Sequence, residues 1–150
     1  HNERIILLHL LNQFCKVHFY SDEIVDQLSE VPFKGPVTYS IEMPKVFRLS
    51  KINLCPTMRT IQSGIPLRAL DIMGSGGFIL CNLQPELLDY FRPDCDIICY
   101  SSMEDAIEKA KFYLTHEEAR TRIQQNAYAV VRKEFTYSQR ITSMFRTADL

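Results

Sequence analysis

Arg68 and Asp71 stand three residues apart just after Pro66, between two short apolar runs in the stretch 51–81. A proline that opens a helix leaves free backbone N–H groups and the positive end of the helix dipole facing the preceding loop. Arg68 adds a planar guanidinium fork matched to phosphate oxygens, and Asp71, one turn further on, is an acceptor suited to the hydroxyl pair of a ribose. Together they can hold a nucleoside diphosphate. The same spacing also allows an ordinary helical ion pair, which contributes about 0.2 to 0.5 kcal/mol.

Elements must hold these residues in place, and the apolar patterning indicates which. Residues 52–55, 78–81 and 97–100 are short apolar runs without polar alternation, as expected for parallel strands covered on both faces. A further strand is expected over 16–20. Helices are expected after Asn2 as a cap, with Ile5, Leu8, Leu11 and Phe14 at helical spacing, and over 42–49, 66–73 and 85–91, the last two opened by Pro66 and Pro85. The last third carries three capping-box patterns, Ser101 to Glu104, Thr115 to Glu118 and Thr136 to Gln139, so three closing helices are expected. The alternation predicts a Rossmann-like α/β fold, a parallel sheet flanked by helices with a helical C-terminal tail.

Such sheets bind ligands beyond the carboxyl ends of their strands, which directs attention to three loops. Gly35 and Tyr39 lie in a turn that can border a base or serve only as a turn. Thr57 and Arg59 lie in the long polar connection before Pro66, which can close over a ligand or remain a solvated link. Asn82 and Gln84 come just after the second run and can meet phosphate or sugar hydroxyls, or simply cap the helix that Pro85 opens. The glycines of 74–77 come after a helix and precede a strand, the reverse of a dinucleotide-binding loop, and are expected to end the helix and permit close packing. His9, His18 and His116 lack metal-ligand spacing, so neither a metal site nor a cofactor is expected.

Composition limits the remaining classes. At 150 residues, 46% hydrophobic and 23% charged, the chain is long enough for one globular domain, 1–150, with a sizeable core. Lys plus Arg number 17 against 18 Asp plus Glu, which gives no electrostatic reason to bind nucleic acid. No apolar run approaches the roughly 18 residues of a membrane span. The five cysteines form no metal-type pairs and three lie in apolar runs, so reduced thiols and a cytoplasmic setting are expected. The opening His1-Asn2-Glu3-Arg4 leads straight into a helical pattern, as in a piece of a longer polypeptide.

Gly35-Pro36-Val37, residues 42–47, Ile52-Asn53-Leu54 and Pro56-Thr57 together resemble the donor-binding C-terminal domain of group 1 glycosyltransferases, Pro56-Thr57 being similar to the family's Pro-Ser strand ending, and the resemblance covers almost the whole chain. Leu70-Asp71-Ile72-Met73-Gly74-Ser75-Gly76 is similar to the family's Glu-Ala-Met-Ala-x-Gly helix, which gives Asp71 the place of the ribose-binding carboxylate. Arg68 matches an arginine of the spore-maturation-type branch, and the tail segments 100–104, 113–120 and 135–140 are similar to the family's closing helices. The upstream glutamate of the family's E-x7-E pair is replaced, since its place falls at Ser63. The resemblance implies the C-terminal half of a GT-B fold, with a nucleotide-sugar donor as substrate and no metal. It implies an N-terminal domain of the same chain that supplies the acceptor. The residues alone also allow a non-catalytic α/β interaction domain, or a glycosyltransferase half that has lost its donor site.

Overall fold

The computed structural model describes residues 2–57 and 64–147. Helix α1 (Asn2–Asn12) is followed by a 3-10 turn (Asp26–Leu28), α2 (Met43–Leu49), β1 (Asn53–Cys55), α3 (Leu67–Gly74) and β2 (Ile79–Asn82). A second 3-10 turn (Pro85–Leu87), β3 (Ile98–Tyr100) and helices α4 (Met103–Thr115), α5 (Glu117–Glu134) and α6 (Tyr137–Thr147) complete the order. The strands form a parallel sheet in the order β1-β2-β3. The three apolar runs therefore became strands, and the fold is the α/β sheet flanked by helices that the pattern predicts.

Period-two alternation sorts the sheet's side chains onto two buried faces. Cys55, Ile79 and Cys81 pack with Ala69, Ile72 and Met73 of α3 and Ala127 of α5. Phe78, Leu80 and Ile98 pack on the other side with Leu7 and Leu11 of α1, Ala106 and Ala110 of α4, and Ile123 of α5. Both faces are covered, so the strands carry no polar alternation to be seen in the sequence.

Helix α3 buries Ala69, Ile72 and Met73, spaced three and four apart, and so turns Arg68 and Asp71 away from the sheet. Pro66 is its N-cap rather than its first turn, with an extended backbone and a carbonyl that accepts from the N–H of Ala69 at 2.9 Å. The glycines close the helix. Gly76 has φ +74°, the Gly77 N–H donates to the Ile72 carbonyl at 2.9 Å, and a Cβ on Gly77 would lie 2.8 Å from both the Phe47 carbonyl and Asn53 Nδ2.

Several local expectations fail for identifiable reasons. Residues 16–20 form no strand; Phe19 makes a single parallel bridge to Phe33, because Pro32 and Pro36 on the opposite segment lack the N–H groups a ladder needs. The helix expected over 85–91 stops as a 3-10 turn, with the N–H of Phe91 closing on the Leu87 carbonyl at 2.8 Å before Arg92-Pro93. The cap of α4 is Ser102, which accepts from the Asp105 N–H at 3.1 Å, one position later than predicted. Thr115 ends α4 and donates its hydroxyl to the Phe112 carbonyl, leaving His116 to join α4 to α5 without a capping box. Thr136 does cap α6, accepting from the Gln139 N–H at 3.3 Å. Helix α1 begins at Asn2 itself and ends before Phe14.

All five cysteines are free thiols. Among the described residues no helix is long and apolar enough to cross a membrane, and no group of three His, Cys, Asp or Glu is arranged to hold a metal ion.

Candidate functional site

The outward face of α3 meets α2 and the turn before it. That turn is set by Glu42, whose carboxylate accepts from the Thr38 N–H at 2.7 Å and from its hydroxyl at 3.0 Å, while the N–H groups of Glu42 and Met43 return to the Thr38 carbonyl. The Thr38 bonds hold the Glu42 carboxyl below the usual carboxylate range. Asn53 then anchors the far end of α2, with Nδ2 donating to the Phe47 carbonyl at 2.8 Å. Tyr39 is thereby carried to the middle of α3, and Met43 and Phe47, four apart, face it.

Arg68 and Asp71 form no ion pair. The Tyr39 hydroxyl donates to Asp71 Oδ1 at 2.9 Å, whereas the Arg68 guanidinium lies 5.7 Å from the centre of the Phe47 ring and reaches the Met43 sulfur. Each residue of the pair finds its partner across the groove instead of along the helix. The groove encloses a cavity of about 300 Å³ lined by Tyr39, Ser40, Met43, Pro44, Phe47, Leu70 and Asp71, with Gly74 and Ser75 at its end. It is a largely apolar slot whose polar lining residues are Tyr39, Ser40, Ser75 and a single carboxylate, that of Asp71. The Tyr39 phenol is pushed above the ordinary tyrosine range, first by its hydrogen bond to Asp71 and then by the negative charge of that carboxylate. A wider depression of about 610 Å³ is lined by Glu117, Glu118, Thr121, Arg122 and Gln125, all from α5, so no second element converges on it.

The strand ends carry a second group. Asn82 Oδ1 accepts from the Thr57 N–H at 2.6 Å, tying the exits of β1 and β2 together. Arg4, from the first turn of α1, donates through Nη2 to the Pro56 carbonyl at 2.9 Å. No local pattern singles out Arg4, because it reaches this edge over a separation of 52 residues. Burial pushes the Tyr100 hydroxyl up to about 12 and the Cys55 thiol up to about 11, so both remain protonated near neutrality.

The structure thus joins Tyr39 to Asp71 and Thr57 to Asn82. Gly35 has φ +76° and a carbonyl that accepts from the Ser21 N–H at 3.2 Å, but it does not line the groove. Gln84 is buried and its carbonyl accepts from the Leu87 N–H at 3.1 Å, a capping role. Arg59 and Ser63 lie outside the described residues.

A family model described as glycosyl transferase-like matches residues 4–146, nearly the whole chain. The chain belongs to this family. Its fold is similar to the 1.35 Å crystal structure of the C-terminal domain of a glycosyl transferase group 1 family protein (LpcC) from Francisella tularensis. The two share 21% identity and a TM-score of 0.58 over 71% of this chain. The match covers 54% of that structure, so this glycosyl transferase-like chain spans about half its length. No curated protein matches the sequence significantly.

Proposed function

We propose that this chain is the donor-binding domain of a glycosyltransferase that takes a nucleoside-diphosphate sugar, within the spore-maturation-type branch of group 1. The observation that carries the reading is the groove between α2 and α3, where Asp71, held by Tyr39, stands in a largely apolar slot, and the Arg68 guanidinium lies over Phe47 and against Met43, two of the residues that line it. A vicinal diol fits the carboxylate, since Tyr39 engages Oδ1 and Oδ2 remains to accept from a ribose hydroxyl. Arg68, helped by Arg59 and the N–H groups that open α3, neutralises the diphosphate, whose charge grows as the sugar departs.

The remaining candidates take lesser parts. Asn82 has its oxygen engaged by Thr57, so its Nδ2 amide is the group left to meet phosphate or sugar; Thr57 offers its hydroxyl beside it. Gln84 caps the 3-10 turn that follows this edge, and Gly35 lies in the stretch that leads to Tyr39, which borders the base. No catalytic residue, metal or cofactor is assigned. The acceptor, and the residues that select it, come from an N-terminal domain of the same polypeptide.

Calorimetric titration with uridine and guanosine diphosphates tests this, run on the wild type and on folded Arg68→Ala and Asp71→Ala. Saturable binding weakened at least tenfold in both variants is the expected result, about 1.4 kcal/mol or more. Nucleotide affinity that neither substitution alters would place the donor elsewhere. A folded wild type that binds neither nucleotide would favour an interaction domain or a half that has lost its donor site.

A further inference from the structure

Three cysteines stand abreast across the sheet. Cys55 pairs in register with Cys81, and Cys81 with Cys99, so their side chains project from the same face of neighbouring parallel strands. Only one of the two pairs is in sulfur contact, Cys81 Sγ lying 3.8 Å from Cys99 Sγ. Adjacent strands run about 4.8 Å apart, inside the roughly 4.4 to 6.8 Å Cα separation of natural disulfides, and an S–S bond is about 2.05 Å long. The sulfurs therefore have a short approach to make.

We infer that Cys81 and Cys99 form a site of reversible oxidative modification, a peroxide-driven cross-link between β2 and β3.

The two thiols are unequal, which sets the order of events. Cys81, on the central strand, is 1% exposed, whereas Cys99, on the edge strand β3, is only partly covered. Lys109 Nζ donates to the Cys99 carbonyl at 2.6 Å, which places an ammonium beside that residue. The hydrogen bond shared with Cys81 and the charge of Lys109, itself paired with Asp105 at 3.0 Å, favour the Cys99 thiolate against its burial and the negative charge of Asp94, while Cys81 is held protonated. The Cys99 thiolate attacks one oxygen of hydrogen peroxide, the O–O bond breaks, and the departing hydroxide takes a proton to leave as water. Cys81 Sγ then attacks the Cys99 sulfenic sulfur, and its thiol proton leaves with the hydroxyl group as a second water. Two thiols and one peroxide give one disulfide and two waters, with two electrons passing from the sulfurs to the peroxide. The link lies one residue before Asn82 and Tyr100, and so restrains the carboxyl ends of both strands.

Cys95, exposed, and Cys15, half-buried, are internal comparators. The native protein is treated with hydrogen peroxide, quenched, alkylated with N-ethylmaleimide in denaturant, and mapped by peptide mass spectrometry, with a sample oxidised in urea alongside. Expected is a dominant peptide pair joining Cys81 to Cys99, with alkylation falling from five thiols per chain to three and restored by dithiothreitol. The urea-oxidised sample is expected to show no such preference. Cys99→Ala, checked for folding by circular dichroism, is expected to lose the link. Cys81 and Cys99 both alkylated while Cys95 or Cys15 is oxidised would overturn the inference. So would a link as abundant in urea as in the native protein, since geometry would then not select it.

Discussion

Tyr39 and Asp71, 32 positions apart, share a hydrogen bond of 2.9 Å that fastens the turn before α2 to the middle of α3. It fixes the carboxylate's orientation and forms one wall of the groove. Because Tyr39 is 61% exposed, its consequence lies in positioning and in titration more than in stability.

The first prediction concerns that titration. A phenol raised by a neighbouring carboxylate binds its proton more tightly in the folded state than in the unfolded one. The stabilisation is therefore complete below the ordinary tyrosine range, near pH 10, and is lost as pH rises through the raised value. Carbon NMR of labelled tyrosines is expected to show the Tyr39 midpoint falling in Asp71→Asn. An unmoved midpoint would mean that the carboxylate is not its neighbour in solution.

Gly77→Ala is expected to destabilise the fold by about 1 to 3 kcal/mol in urea denaturation, because a methyl group there meets the Phe47 carbonyl and the Asn53 amide, neither of which can yield freely. Gly35→Ala meets nothing within 4 Å and should cost only the strain of its left-handed backbone, about 1 kcal/mol. Equal losses at the two sites would contradict the packing described for Gly77.

Removing the Asn82 carboxamide should free the exit of β1. In Asn82→Ala the Thr57 amide proton is expected to exchange with solvent faster, with a stability loss of about 1 kcal/mol. Unchanged exchange at Thr57 would show that another acceptor holds it.

Asp96 predicts an acid limb of the stability curve. Its side chain is 2% exposed and accepts from the Arg92 N–H, Nε and Nη2 at 2.9 to 3.0 Å, which holds its carboxyl below the usual aspartate range. A depressed folded value contributes stability above the unfolded pKa, near 3.9, and loses it as pH falls through the folded one. Asp96→Asn should lower stability at pH 7 by about 1 to 3 kcal/mol and flatten the decline in acid, measured by thermal melts from pH 7 to 2.

Local sequence was sufficient for the three strands, the helix that carries Arg68 and Asp71, the glycine stop behind it and the family. These are written in runs of a few residues, where alternation, proline and glycine act on the backbone directly. The same local reading failed where two elements decide jointly: residues 16–20 are strand-like, but Pro32 and Pro36 opposite them leave one bridge. The partners of the site residues emerged only from packing. Arg68 and Asp71 look like a pair along the helix, yet Arg68 turns to Met43 and Phe47 and Asp71 to Tyr39, because α2 packs beside α3 and offers an aromatic face and a phenol. Which side chains meet across separations of 25 to 52 residues depends on how helices seat on the sheet, and no local spacing encodes that.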